Sequence, residues 1–262
     1  MRCYHRGVRA RLVLLAAVGC SRPGPHGDEA RVRAPADEHA GDAHAIVANP
    51  SDTHAIDARV APDAPPLTII DAPIAWTAER ERLTLEYRRT HSDPDATDLT
   101  ITPKVIVLHY TDGDSAKATR AYFDNVRIEA ARKDLARAGA VNVSAHFLVD
   151  RDGTIYRLQP ETRFARHCIG LNHVAIGIEN VGDESRYPLT DAQVAADAAL
   201  VRDLAARYPI THLLGHYEVM TFRDDPLFVE RDPTYKNDKP DPGPRFMARV
   251  RALVADLGLE SR

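Results

Sequence analysis

An α/β domain is what this sequence predicts, and three observations carry that reading. Short apolar runs bounded by turn residues, such as Lys104 to Tyr110 and Ala175 to Val181, read as buried strands. Stretches with apolar residues at helical spacing alternate with them along the chain. The 262 residues, 44% hydrophobic and 27% charged, are enough for one domain with a proper core plus extensions. The formal net charge of -4 lacks the basic excess that a nucleic-acid partner would call for. Cys3, Cys20 and Cys168 form no disulfide framework.

Residues 1–20 read as an export signal. Arg2, Arg6, Arg9 and Arg11 make a positive start, and Leu12 to Val18 make an apolar stretch too short to span a bilayer. Ala17-Val18-Gly19-Cys20-Ser21 resembles the lipobox of bacterial lipoproteins, with Ala17 where leucine is usual. That resemblance implies an acylated Cys20, a membrane anchor and a place on the periplasmic face of the outer membrane. Ordinary signal cleavage, giving a soluble periplasmic or secreted protein, is the alternative. Residues 21–75 are dominated by Ala, Asp, Pro and His, with few large apolar side chains, and read as a disordered tether. The folded domain is expected over residues 76–262.

Within it, Thr77 is placed to cap a helix running to about Arg89, with Leu83 and Tyr87 facing inward. The strand from Lys104 follows and delivers His109 at its C-terminal end, the edge where open α/β sheets bind ligands. Ser115 opens a helix with Ala118, Ala121, Tyr122 and Val126 on one face, and a further helix is expected from Ile128 to Ala138, stopping at Gly139. Asp152-Gly153 sits between two short β runs, a hairpin signal. His146, on the first of those runs, reads as a core histidine hydrogen-bonded in place. The run Ala175 to Gly182 carries Glu179, and a buried acid needs a partner or a task. Thr190 caps a long helix with Val194, Ala198, Val201, Leu204 and Ala205 inward. Ile210 to Gly215 is a strand ending at His216. A long loop then leads to Lys239-Pro240-Asp241-Pro242-Gly243-Pro244. The closing helix carries Phe246, Val250, Leu253, Val254 and Leu257.

Five segments now stand in one order: Val107-Leu108-His109-Tyr110-Thr111; Ser144-Ala145-His146-Phe147 with Asp150-Arg151-Asp152-Gly153-Thr154; Ile176-Gly177-Ile178-Glu179; Leu214-Gly215-His216; and Lys239 through Pro244 with Phe246. Together they resemble the zinc-dependent N-acetylmuramoyl-L-alanine amidases, the type 2 amidase and peptidoglycan recognition protein superfamily. Ala145 stands where the phage branch has tyrosine, so the chain is most similar to the lipoprotein and anhydromuropeptide amidase branch. The resemblance covers roughly residues 80–257. It implies a single domain with a central mixed β-sheet flanked by helices, one Zn2+ held by His109, His216 and Asp241, and Glu179 acting on the attacking water. It also implies Lys239 as the cation that stabilises the oxyanion, and His167 and Asn172 as substrate-binding residues. His167-Cys168-Ile169-Gly170 departs from the family's His-x-Gly pattern, and Ala175 replaces its usual serine. Cys168 reads as a small buried apolar residue.

The implied reaction is hydrolysis of the bond between N-acetylmuramic acid, or its anhydro form, and the L-alanine of the stem peptide. Peptidoglycan or a muropeptide is then the partner, the role is cell-wall turnover or recycling, and a monomer is expected. The loop with Phe222, Leu227, Phe228 and Tyr235 is expected to wall the substrate groove. Two other classes compete: a peptidoglycan-binding module without catalysis, and a zinc amidase acting on a different amide. A complete ligand set with Glu179 and Lys239 favours the hydrolase.

Overall fold

Strand β2 (Val105–Tyr110) lies in the interior of the sheet, with Val105 through Leu108 wholly shielded from solvent. Burial of each such side chain contributes roughly 1.5–3 kcal/mol. The computed structural model describes residues 67–236 and 238–261. The signal segment with Cys20 and the tether up to residue 66 lie outside the described residues.

Five further strands are described: β1 (Ile69–Asp71), β3 (Phe147–Val149), β4 (Ile155–Arg157), β5 (Ala175–Asn180) and β6 (His212–Gly215). Their order in the sheet is β1-β4-β3-β5-β2-β6. β2 runs parallel to both β5 and β6, β3 parallel to β5, and only the β3–β4 hairpin is antiparallel, with β1 parallel to β4. The sheet is therefore mixed, as expected. Helices α4 (Asp191–Arg207) and α5 (Pro244–Leu253) pack on one face, against Ile106, Leu108, Ile176, Ile178 and Leu213. Helices α1 (Ala78–His91), α2 (Ala116–Asp124) and α3 (Lys133–Ala138) complete the domain. Among the described residues no helix is long and apolar enough to cross a membrane.

Local chemistry explains the helix starts. The side chains of Thr77, Ser115 and Thr190 each accept a backbone N–H three residues on, and Gln193 returns the favour to Thr190 in a capping box.

Four expectations need correcting. The folded unit starts before residue 76: β1 pairs with β4, and Ile74 is buried with its N–H on the Leu158 carbonyl. A tether composition averaged over 21–75 hides the apolar run Leu67 to Ile70. On α2, Phe123 and Ala116 face inward, while Ala118 and Ala121 are exposed. One phenyl group buries more apolar area than two methyls, so it sets the face. The helix expected from Ile128 starts only at Lys133, because Arg127 bridges to Val141 and the Ile128 N–H bonds to the Ala140 carbonyl. β-Branched Val126, Ile128 and Val141 favour that extended pairing. Finally, α5 ends at Leu253, half of which is exposed, while Val254, expected on the same helix, is buried just beyond its end.

Candidate metal centre and active site

Parallel register brings the two strand-end histidines together. Leu108 of β2 is paired with Gly215 of β6, so His109 and His216 follow at neighbouring ends of adjacent strands. Asp241 comes from the segment before α5, and its carbonyl accepts the Tyr217 N–H at 2.9 Å, which ties the two loops to each other. Gly243, with φ of 88°, makes the turn that Pro244 then converts into helix. The turn beyond β6 is held by Glu218. Its carboxylate accepts the Gly215 N–H at 2.7 Å and both Arg251 amino groups at 2.6 and 2.9 Å. Sequence reasoning missed this clamp, although an acid three residues after Gly215 is the spacing of a capping carboxylate.

The three side chains converge on one point. His109 Nδ1 and His216 Nδ1 lie 2.9 Å apart, and Asp241 Oδ2 lies 3.3 Å from the first and 3.1 Å from the second. Donors about 2.0–2.1 Å from a tetrahedral zinc are separated by about 3.3 Å, so the triangle has the dimensions of one face of such a tetrahedron. All three residues are buried. Burial, and then the neighbouring His216, push the His109 imidazole down to about 4, which keeps it neutral with a lone pair to donate at neutral pH. Burial would raise the Asp241 carboxyl, but the His109 and His216 imidazoles against it outweigh that and hold its pKa well below the usual carboxylate range. Two imidazole nitrogens and one carboxylate oxygen at these distances are a donor set that suits zinc.

Glu179 stands beside this centre as the register partner of His109 on β5. Its Oε2 is enclosed and has no hydrogen-bond partner. Burial, and then the Asp241 charge, raise its pKa well above the ordinary carboxylate value, while Lys239 and Arg132 pull it back. The charge of Lys239, two residues before Asp241, lowers the pKa of both Glu179 and His109. An acid of raised pKa beside three metal donors and a cation can take up and return a proton. The salt-bridge reading of Glu179 finds no partner here, since none of the ion pairs among the described residues includes it.

His146 has the core role expected of it. It accepts the Gly177 N–H at Nδ1 (3.0 Å) and donates from Nε2 to the Arg163 carbonyl (2.8 Å). His167 and Asn172 lie differently from the expectation of substrate contacts. Asn172 is buried and turned into its own loop, where Oδ1 accepts the backbone N–H groups of His167 and Cys168, both at 2.9 Å. His167 points its Nδ1 at His109 Nε2, 3.0 Å away, on the side of the ring opposite Asp241. A five-residue carboxamide-to-backbone turn organises a loop more readily than it exposes a side chain. Cys168 is a buried free thiol, as expected. The supposed groove wall also turns inward: Phe222 and Tyr235 are buried, and Phe228 packs over Gly170.

Comparison with known sequences fits this arrangement. The family described as N-acetylmuramoyl-L-alanine amidase matches residues 99–244, more than half of the chain. The endolysin of Escherichia phage T7 is 32% identical over 100 residues, or 36% of this chain and 66% of that protein. The 1,6-anhydro-N-acetylmuramyl-L-alanine amidase AmpD of Salmonella typhimurium (strain SL1344) is 34% identical over 131 residues, or 46% of this chain and 62% of its own length. The chain thus spans just under two thirds of these curated relatives. Among solved structures, the N-acetylmuramoyl-L-alanine amidase LysCS of Clostridium intestinale URNW is 24% identical, with a TM-score of 0.45 over 74% of this chain and 97% of that one.

Proposed function

The chain belongs to the N-acetylmuramoyl-L-alanine amidase family, and from that premise we propose that it hydrolyses the amide between the lactyl group of N-acetylmuramic acid and the L-alanine of the stem peptide. The observation that carries this reading is the convergence of His109, His216 and Asp241 within 4.8 Å of one another, beside the unpartnered carboxylate of Glu179. Zinc is the ion proposed for the three donors, and when bound it supplies a Lewis acid that lowers the pKa of water and polarises a carbonyl. Glu179 takes the proton of the attacking water and returns it to the amine of the departing L-alanine. Lys239 brings positive charge to the oxygen of the collapsing amide. The relative named as a 1,6-anhydro-N-acetylmuramyl-L-alanine amidase supports including the anhydro form among the substrates. Wall turnover or recycling is the role that follows.

The same reading gives Cys20 an acyl anchor at the outer membrane, supported by Ala17-Val18-Gly19-Cys20-Ser21 behind a positive, apolar leader. Cys20→Ala is then expected to move the protein to the soluble fraction, and continued sedimentation with membranes would defeat the anchor.

Purified sacculi treated with the protein test the activity. Mass spectrometry is expected to find free stem peptides beginning at L-alanine. Disaccharide-peptides left whole would instead favour a binding module.

A further inference from the structure

We propose that His167 is a positioning residue for the metal centre: it accepts the Nε2–H of His109 and so keeps the His109 Nδ1 lone pair aimed at His216 and Asp241. The proposal rests on reading those three side chains as a metal site. It replaces the substrate-contact role expected for His167.

The proton assignment follows from the partners. His167 Nε2 lies 3.3 Å from the carbonyl oxygen of Ala175, which can only accept, so that nitrogen carries the hydrogen. His167 Nδ1 is then an acceptor. Its neighbour at 3.0 Å is His109 Nε2, which must therefore be the protonated nitrogen of that ring. The lone pair of His109 is left on Nδ1, the atom that faces His216 Nδ1 at 2.9 Å and Asp241 Oδ2 at 3.3 Å. The other tautomer of His109 would set two lone pairs against each other across the His167 contact and point an N–H at the metal position, whereas the assigned one turns its Nδ1 lone pair toward Asp241 Oδ2 at 3.3 Å, an arrangement that a cation between the two satisfies.

The His167 ring is held on every side that matters. A Cβ at Gly177 would sit 2.7 Å from its Cγ and Nδ1, so the imidazole lies directly on the β5 backbone where only glycine admits it. Its ring stands nearly perpendicular to His109 (centroids 5.2 Å apart, 89°) and to His146 (5.8 Å, 82°). The backbone N–H of His167 donates to Asn172 Oδ1 at 2.9 Å. Asn172 and Gly177 thus act on His109 through His167. A ligand histidine fixed through its second nitrogen gains both orientation and basicity, and losing such a partner typically weakens metal binding about 10–100-fold.

Two variants and one spectrum test this. Long-range 1H–15N correlation of the metal-free wild type is expected to show His109 protonated at Nε2 and bare at Nδ1. His167→Leu, of similar shape but without an acceptor, is expected to bind zinc about 10–100-fold more weakly in chelator competition. His167→Asn, whose Oδ1 takes the place of Nδ1, is expected to recover most of that loss. A His109 protonated at Nδ1, or a folded Leu variant with wild-type zinc affinity, would overturn the proposal. Should the Leu variant not fold, the wild-type tautomer still decides. Tight zinc binding that depends on His167 without any release of stem peptides would defeat the proposed function and leave this inference standing.

Discussion

His109 and Glu179 are register partners on adjacent parallel strands, so the first of the candidate metal donors and the acid of raised pKa project from the same edge and the same face of the sheet. On that face the preceding alternate residues are Val105 and Val107 on β2 and Ala175 and Gly177 on β5. The apolar pairs build the floor, and the last pair is the one to which the proposed chemistry is assigned. The opposite face carries Ile106, Leu108, Ile176 and Ile178 into the packing with α4 and α5.

Glu179→Gln removes the group assigned to proton transfer while keeping its shape. We expect stem-peptide release to fall about 10²–10⁴-fold, with zinc uptake unchanged because Glu179 is not among the three donors. Calorimetric zinc binding alongside a turnover assay separates the two. Near-wild-type turnover in the variant would remove Glu179 from the mechanism.

Lys239→Met keeps the length of the side chain and removes its charge. The expected loss is about 10²–10³-fold in kcat, with little change in KM. A rise in KM alone would assign Lys239 to substrate binding in place of stabilising the transition state.

Asp197 of α4 is wholly buried, and one carboxylate oxygen accepts from Asn180 Nδ2 at 2.9 Å while the other has no partner. The same amide reaches the His109 carbonyl at 3.3 Å. Burial, opposed by the Asn180 bond, pushes the Asp197 carboxyl up to about 7 from an ordinary value of 3.8. Between those values only the folded chain keeps this proton. Its contribution to stability is therefore fully present below the lower value and falls by about 1.4 kcal/mol per pH unit as pH rises to the upper one. Denaturant titrations at pH 5 and pH 8 should show Asp197→Asn gaining on the wild type at the higher pH. Parallel pH dependences for the two proteins would mean that Asp197 ionises freely in the fold.

How much of this could be read from residues alone depends on where each side chain sits. His109 and His216 end apolar runs, and such runs become buried parallel strands whose C-terminal edge is a site by construction. Glu179 was conspicuous as an acid inside another such run. His167 was not, because its bonding depends on how the 167–172 loop crosses β5, and the one local sign was a glycine in a strand interior. Asp197, three residues after Val194 and one before Ala198, lies on the inward face of α4, a spacing from which a buried acid could have been read although it was not singled out. The early start of the domain was hidden because the three paired residues of β1 are stabilised by β4, more than eighty residues away in sequence.

Metal dependence on a defined muropeptide tests the central claim most directly. The protein stripped of metal by a chelator is expected to leave N-acetylmuramyl-L-alanyl peptides intact and to regain full turnover with one equivalent of zinc, and His216→Ala is expected to regain none. Undiminished cleavage in the metal-free protein, or full recovery in the His216 variant, would contradict the assignment of His109, His216 and Asp241 as the ion's three ligands.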